Sequence, residues 1–141
     1  HNKLIDDYSL IINGDTYVND NLSKFINNKF NFDILMLTSF KFLTNKYGAV
    51  VCNNELDLVG FKEKKLSLFN YVYSGIAIFK NDIFKTNLTK KVINVEDFYF
   101  NDLNYSTKII KSKSKFIDIG TKKRYLKNEK FFSSLKLPFV L

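Results

Sequence analysis

Three stretches of this chain are apolar almost without interruption: "DYSLII" (residues 7–12), "FDILMLTSF" (Phe32 to Phe40) and "YVYSGIAIF" (Tyr71 to Phe79). A strand with one face in water alternates apolar and polar residues, whereas a strand covered on both faces does not. These runs therefore predict a sheet buried on both sides, which requires helices packed against it. Helical signals fall between them. In "NDNLSKFINNKF", Asp20 or Asn21 caps a short helix whose Leu22, Phe25, Ile26 and Phe30 share one face. Asn81 or Asp82 caps another short helix, and a third is expected around "VEDFYFNDL". After the strand "KFIDIG", Thr121 caps a helix running to about Leu135, with Tyr125, Phe132 and Leu135 near one face. "YGAVVCNNELDLVGFKEK" (Tyr47 to Lys64) reads as a hairpin turning at Asn53 and Asn54. The expected class is α/β, with a mixed, mostly parallel sheet flanked by helices.

At 141 residues the chain is one domain's worth. With 15 Phe and 8 Tyr it has the apolar content of a folded globule rather than of a disordered segment. Several chemistries are excluded by count alone. Cys52 is the only cysteine, so there is no internal disulfide and no cysteine-based zinc site. His1 is the only histidine, which leaves little for a catalytic triad. A metal would fall to carboxylates, a donor set suited to magnesium or manganese. No apolar run reaches the roughly 18 residues of a membrane helix, and no leader is visible, so a cytoplasmic protein without membrane contact is expected.

The net charge of +8 invites a nucleic-acid reading. The densest basic run, "KIIKSKSKF" (Lys108 to Phe116), has four Lys and no Arg, and Arg124 is the only arginine of the chain. Specific phosphate and base contacts favour the arginine fork. A basic α/β module that binds RNA or another polyanion is the weaker alternative, and no specific nucleic-acid partner is expected.

Two carboxylates stand out by position. Asp15 follows "LIING" and Asp118 sits in "FIDIG", each at the carboxyl end of an apolar strand, where open α/β sheets bind ligands. Asn13-Gly14 between apolar runs is also a hairpin signal through the left-handed turn both residues tolerate. The helix expected from about Asp20 follows too soon for a full return strand, so a bend is favoured there. On position alone, Asp15 and Asp118 read either as turn and cap carboxylates or as two ligands of one divalent ion.

The order "NGDT", "YG", "VGFKEK", "SGIAIF", "VEDFYF", "FIDIGT" resembles the second half of the sugar-1-phosphate nucleotidyltransferases, and is most similar to their mannose- and heptose-1-phosphate guanylyltransferase branch. The likeness runs from about Leu10 to Phe132. It implies a Rossmann-like fold truncated at the N-terminus, with residues 1–141 forming the C-terminal part of a single catalytic domain. The family's glycine-rich nucleotide loop would lie before residue 1, so the chain alone is not expected to turn over.

The resemblance also implies a reaction. A sugar 1-phosphate and a nucleoside triphosphate give a nucleotide sugar and pyrophosphate, with Mg2+ as cofactor, in the supply of surface glycans such as lipopolysaccharide or capsule. Carried over by position, Asp15 and Asp118 match the magnesium ligands. Tyr47 and Gly48 match residues that touch the sugar, and Glu63 the acceptor of its hydroxyls. Lys64 pairs with the 1-phosphate, Gly75 lies under the sugar ring, and Glu96 stands near it. The catalytic set is thus Asp15, Lys64 and Asp118. Tyr73 and Ser74 depart from the Asn and Ala common before Gly75, and Lys65 from a common Pro. A non-catalytic regulator that binds sugar nucleotides is the other alternative, and homo-oligomer formation is left open.

Overall fold

The computed structural model describes residues 7–27, 31–41, 47–62, 71–85, 94–100, 104–114 and 116–135. The strands are β1 (Tyr8–Ile12), β2 (Thr16–Val18), β3 (Ile34–Phe40), β4 (Ala49–Cys52), β5 (Leu58–Lys62), β6 (Tyr71–Lys80), β7 (Thr107–Ser112) and β8 (Phe116–Asp118). The helices are α1 (Leu22–Ile26), α2 (Asp82–Lys85) and α3 (Lys122–Ser134), with one wide, π-type turn at Glu96–Phe100.

The long strand β6 organises the main sheet. Its order is β5-β4-β6-β3-β7, and β1 pairs with β6 as well. On one edge, β6 pairs with β4 at Val72 and with β1 from Ile76 to Lys80, so two short strands succeed each other along it. On the other edge it pairs with β3, with a register shift between Leu37 and Thr38. The shift is a bulge of β6: Leu37 faces Ile76, Thr38 faces Tyr73, and Ser74 and Gly75 are left over. The buried Ser74 hydroxyl donates to the Leu37 carbonyl at 2.7 Å, which satisfies one backbone acceptor that the bulge would strand.

Strands β3 and β6 are covered on both faces, as their unbroken apolar runs require. Strand β1 is not: among the described strands it pairs with β6 alone, and its Tyr8, Leu10 and Ile12 are exposed. Ile34 and Met36 of β3 join Ala77 and Phe79 of β6, with Phe61, Tyr99 and Phe100, on one side. Leu35 and Leu37 join Ile76 and Ile78, with Phe25 of α1 and Phe32, on the other. The first side is largely aromatic: the Tyr73 and Phe100 rings lie 4.9 Å apart and those of Phe61 and Phe100 5.3 Å. Each such buried ring contributes roughly 1.5–3 kcal/mol.

The α/β class and the mixed sheet agree with the sequence, but the parallel majority does not hold among the described strands. Only β3–β7 runs parallel, while β6 is antiparallel to β1, β3 and β4. Continuous apolar character reports burial on two faces and carries no information on direction. The strand β7 lies within the basic run itself. Its Thr107, Ile109 and Ser112 are buried, while Lys108 pairs with Asp57 at 2.6 Å and Lys111 lies over the Tyr71 ring at 5.1 Å. Lys108 and Lys111 of the run are therefore spread along a strand of the sheet.

Asn21 caps α1 by accepting the Ser23 N–H, and Thr121 caps α3 by accepting the Arg124 N–H at 3.3 Å, both as expected. On α3, Phe131 and Phe132 make the packing contacts, 5.5 and 5.6 Å from the Tyr17 ring, whereas Tyr125 is exposed.

Candidate functional site

A second, two-stranded sheet brings the two carboxylates together. Strand β2 pairs antiparallel with β8, Thr16 facing Asp118, and the Ile119 N–H donates to the Asp15 carbonyl at 2.8 Å. Residues more than one hundred positions apart are thus brought side by side by backbone pairing. The Asn13-Gly14 segment is a bend and not a hairpin tip, since β2 turns away from β1 to pair with β8. Neither Asn13 nor Gly14 adopts the left-handed backbone of the tight turn their letters suggest.

Gly120 shows how close the acids are. A Cβ placed there would overlap Asp15 Oδ2 and come within 3.3 Å of Asp118 Oδ1. The two oxygens therefore face one small space, and it is the absence of a side chain at Gly120 that leaves the space open. Among the described residues no third His, Cys, Asp or Glu completes a cluster with them. Two hard oxygen donors with the remaining positions open fit Mg2+ or Mn2+, which retain several waters and accept phosphate oxygens.

Gly75 lies beneath the same loop. It has φ of +78°, a left-handed backbone, and its carbonyl accepts the Asn13 N–H at 2.8 Å. An added Cβ would stand 2.8 Å from Thr16 Oγ1 and 3.0 Å from Asn13 Cβ. A glycine inside a strand signals a close backbone approach, and here the approach is made by the loop that carries Asp15.

Asp118 meets a further partner that its motif does not announce. Arg124, in the first turn of α3, reaches back so that its Nη1 lies 2.5 Å from Asp118 Oδ2, while the Gly120 N–H donates to Asp118 Oδ1 at 2.9 Å. The Asp118 carboxylate holds the guanidinium firmly charged, and Asp15 acts on it in the same sense. Tyr47 stands beside this pair. Burial and then the Asp118 charge raise its hydroxyl above the ordinary value of 10.0. The Tyr47 ring packs 5.2 Å from Phe116, and the Lys41 ammonium lies 4.6 Å over the Phe116 ring. Tyr47, Phe116, Asp118, Lys123, Arg124 and Lys127 line part of a cavity of about 780 Å3.

The remaining candidates divide. Gly48 packs against the Phe61 ring, where a Cβ would overlap it, and its carbonyl accepts the Tyr73 N–H at 3.0 Å. That carbonyl is thereby engaged in the sheet. Glu96 stands on the wide turn, where its charge adds to burial in raising the Tyr73 hydroxyl. Tyr73 points into the aromatic core rather than toward the acids. Glu63 and Lys64 lie outside the described residues. Arg124 and Gly120 are the residues that sequence reasoning missed. Gly120 was visible inside "DIGT", and Arg124 as the only arginine of the chain.

No model of a known protein family matches this chain, and no curated protein matches it. Solved structures do. HddC from Yersinia pseudotuberculosis superposes with a TM-score of 0.77 at 24% identity, over 90% of this chain and 56% of that one. The same protein complexed with GMP-PN gives 0.76. A putative glucose-1-phosphate thymidylyltransferase from Bacillus anthracis, in complex with a sucrose, gives 0.76 at 16% identity, over 94% and 57%. The inositol-1-phosphate CTP transferase from T. maritima gives 0.68 at 14% identity, over 96% and 59%. The chain spans little more than half the length of each of these structures. Over that span it has the fold of these proteins, nucleotidyltransferases of sugar and inositol phosphates among them.

Proposed function

We propose that this chain supplies the cation and sugar-phosphate half of a sugar-1-phosphate nucleotidyltransferase. The observation that carries the reading is the convergence of Asp15 and Asp118 over Gly120, in a fold shared with enzymes named for nucleotidyl transfer. In the reaction, a phosphate oxygen of the sugar 1-phosphate attacks the α-phosphorus of a nucleoside triphosphate. The new P–O bond forms as the bond to the β-phosphate breaks, and pyrophosphate leaves with the electron pair. Such a transfer depends on positioning and charge neutralisation more than on covalent help.

Asp15 and Asp118 would hold Mg2+, whose positive charge offsets that of the reacting phosphates. Tyr47, with Phe116, offers an aromatic wall beside the acids. Lys64 and Glu63 keep the roles the resemblance implies, as the partner of the 1-phosphate and the acceptor of sugar hydroxyls.

The test is pyrophosphate release by the full-length protein, given nucleoside triphosphates and sugar 1-phosphates in combination. Asp118→Asn is expected to lower turnover at least about a hundredfold, the scale of losing one preorganised electrostatic contact, with an unchanged circular dichroism spectrum. Undiminished turnover by this variant overturns the assignment. Binding of sugar nucleotides without turnover by the wild type would favour the regulator instead.

A further inference from the structure

Both oxygens of Asp118 are engaged, Oδ2 by Arg124 and Oδ1 by the Gly120 N–H. The guanidinium also feels Asp15, so it now neutralises the charge that a divalent ion on the two acids would neutralise. A divalent ion arriving between Asp15 Oδ2 and Asp118 Oδ1 meets this guanidinium on the other oxygen of the same carboxylate, a like charge at short range. The adjoining space is the cavity, whose wall carries Lys41, Lys113, Lys123 and Lys127 besides Arg124 itself. Asp118 is the one acid among the described lining residues. A fifth cation moves into such a space unfavourably unless an anion is there to receive it.

We propose that Arg124 couples two binding events: it guards the Asp15–Asp118 pair until a phosphate-bearing ligand enters the cavity, then turns to that ligand and frees Asp118 for the cation. Phosphate suits the place because a guanidinium offers it two parallel donors and the ammonium groups around it add charge. Cation and phosphate then tighten each other by the same factor, as linkage requires. The inference rests on the cation reading of the acid pair given above and adds a positioning role for a residue that "DIGT" does not contain.

Mn2+ titrations read by electron paramagnetic resonance of the free ion test this. Glucose 1-phosphate and inorganic phosphate serve as separate probes, with blanks for ion pairing in solution. In the wild-type protein, glucose 1-phosphate is expected to tighten Mn2+ about tenfold, within the usual range of such couplings. An equal effect of inorganic phosphate would assign the cavity to the phosphate group alone. Arg124→Ala and Arg124→Gln are each expected to bind Mn2+ about tenfold more tightly without any anion and to lose the anion effect. Arg124→Lys should retain part of it.

Folded Arg124 variants with unchanged or weaker Mn2+ affinity, or with an undiminished anion effect, overturn the proposal. If Asp15→Asn abolishes Mn2+ binding while the Arg124 variants bind as the wild type does, only the coupling falls. If neither the wild type nor the Arg124 variants bind Mn2+, the cation reading falls with it.

Discussion

The Gly75 carbonyl accepts the Asn13 N–H at 2.8 Å, which ties the bulge of the central strand to the loop carrying Asp15. Gly75 holds φ of +78° with Thr16 Oγ1 and Asn13 filling the place of a side chain. Alanine there must adopt a left-handed backbone, at about 1–2 kcal/mol, and must also push the loop away. Gly75→Ala is expected to destabilise by about 2 kcal/mol or more, measured by urea unfolding, and to weaken Mn2+ binding.

Gly120→Ala separates geometry from stability. The added methyl meets the far end of the Asp15 side chain, which can rotate away, and Gly120 has an ordinary backbone. The melting temperature should move little, with a stability change under about 1 kcal/mol. Mn2+ affinity should fall at least about tenfold as the two acids part. Unaltered affinity would show that the acids do not share the ion.

The cap of α3 orients Arg124, since Thr121 Oγ1 accepts the Arg124 N–H. Thr121→Ala is expected to cost about 1 kcal/mol, while Thr121→Ser should restore most of it. Urea midpoints of the two variants provide the check.

Tyr73 makes the alkaline limb of stability predictable. Burial, with Glu96 nearby, raises its hydroxyl above the ordinary value of 10.0. A raised folded value means that the contribution is complete below the unfolded value and disappears as pH climbs past it. Between about pH 9 and about pH 11 the wild type should lose stability that Tyr73→Phe retains. Parallel urea curves for the two proteins at those pH values test it.

Asp57 acts at the other end of the scale. The Lys108 ammonium, 2.6 Å away, lowers the Asp57 carboxyl below its ordinary value of 3.8, with Asn53 adding to the effect. A lowered folded value means that the contribution is present above the unfolded value and fades as pH falls through the folded one. Asp57→Asn should therefore flatten the acid limb below about pH 4. An acid limb identical to that of the wild type would deny the pair any role in stability.

Much of this architecture is legible in the letters. The runs around Leu35 and Ile76 announce two buried strands, the turn at Asn53 announces its hairpin, and Thr121 announces α3. Asp15 and Asp118 are singled out by standing at strand ends, and the fold brings them together. What the letters conceal is tertiary. Lys108 and Lys111 hide β7 because their ammonium groups find Asp57 and the Tyr71 ring. Three residues of β2 are too few for periodicity to register, yet they align the acids. Strand direction is unreadable because burial on two faces looks alike in either sense. The Arg124–Asp118 contact depends on the angle at which α3 leaves β8, which no local pattern encodes.

The clamp between β2 and β8 is built from peptide groups, so the spacing of the two backbone positions that carry the acids is inherited from the main chain. Exchange of a surrounding lysine leaves that backbone pairing in place. A protein arranged this way can change what it grips one residue at a time while keeping the place where it grips.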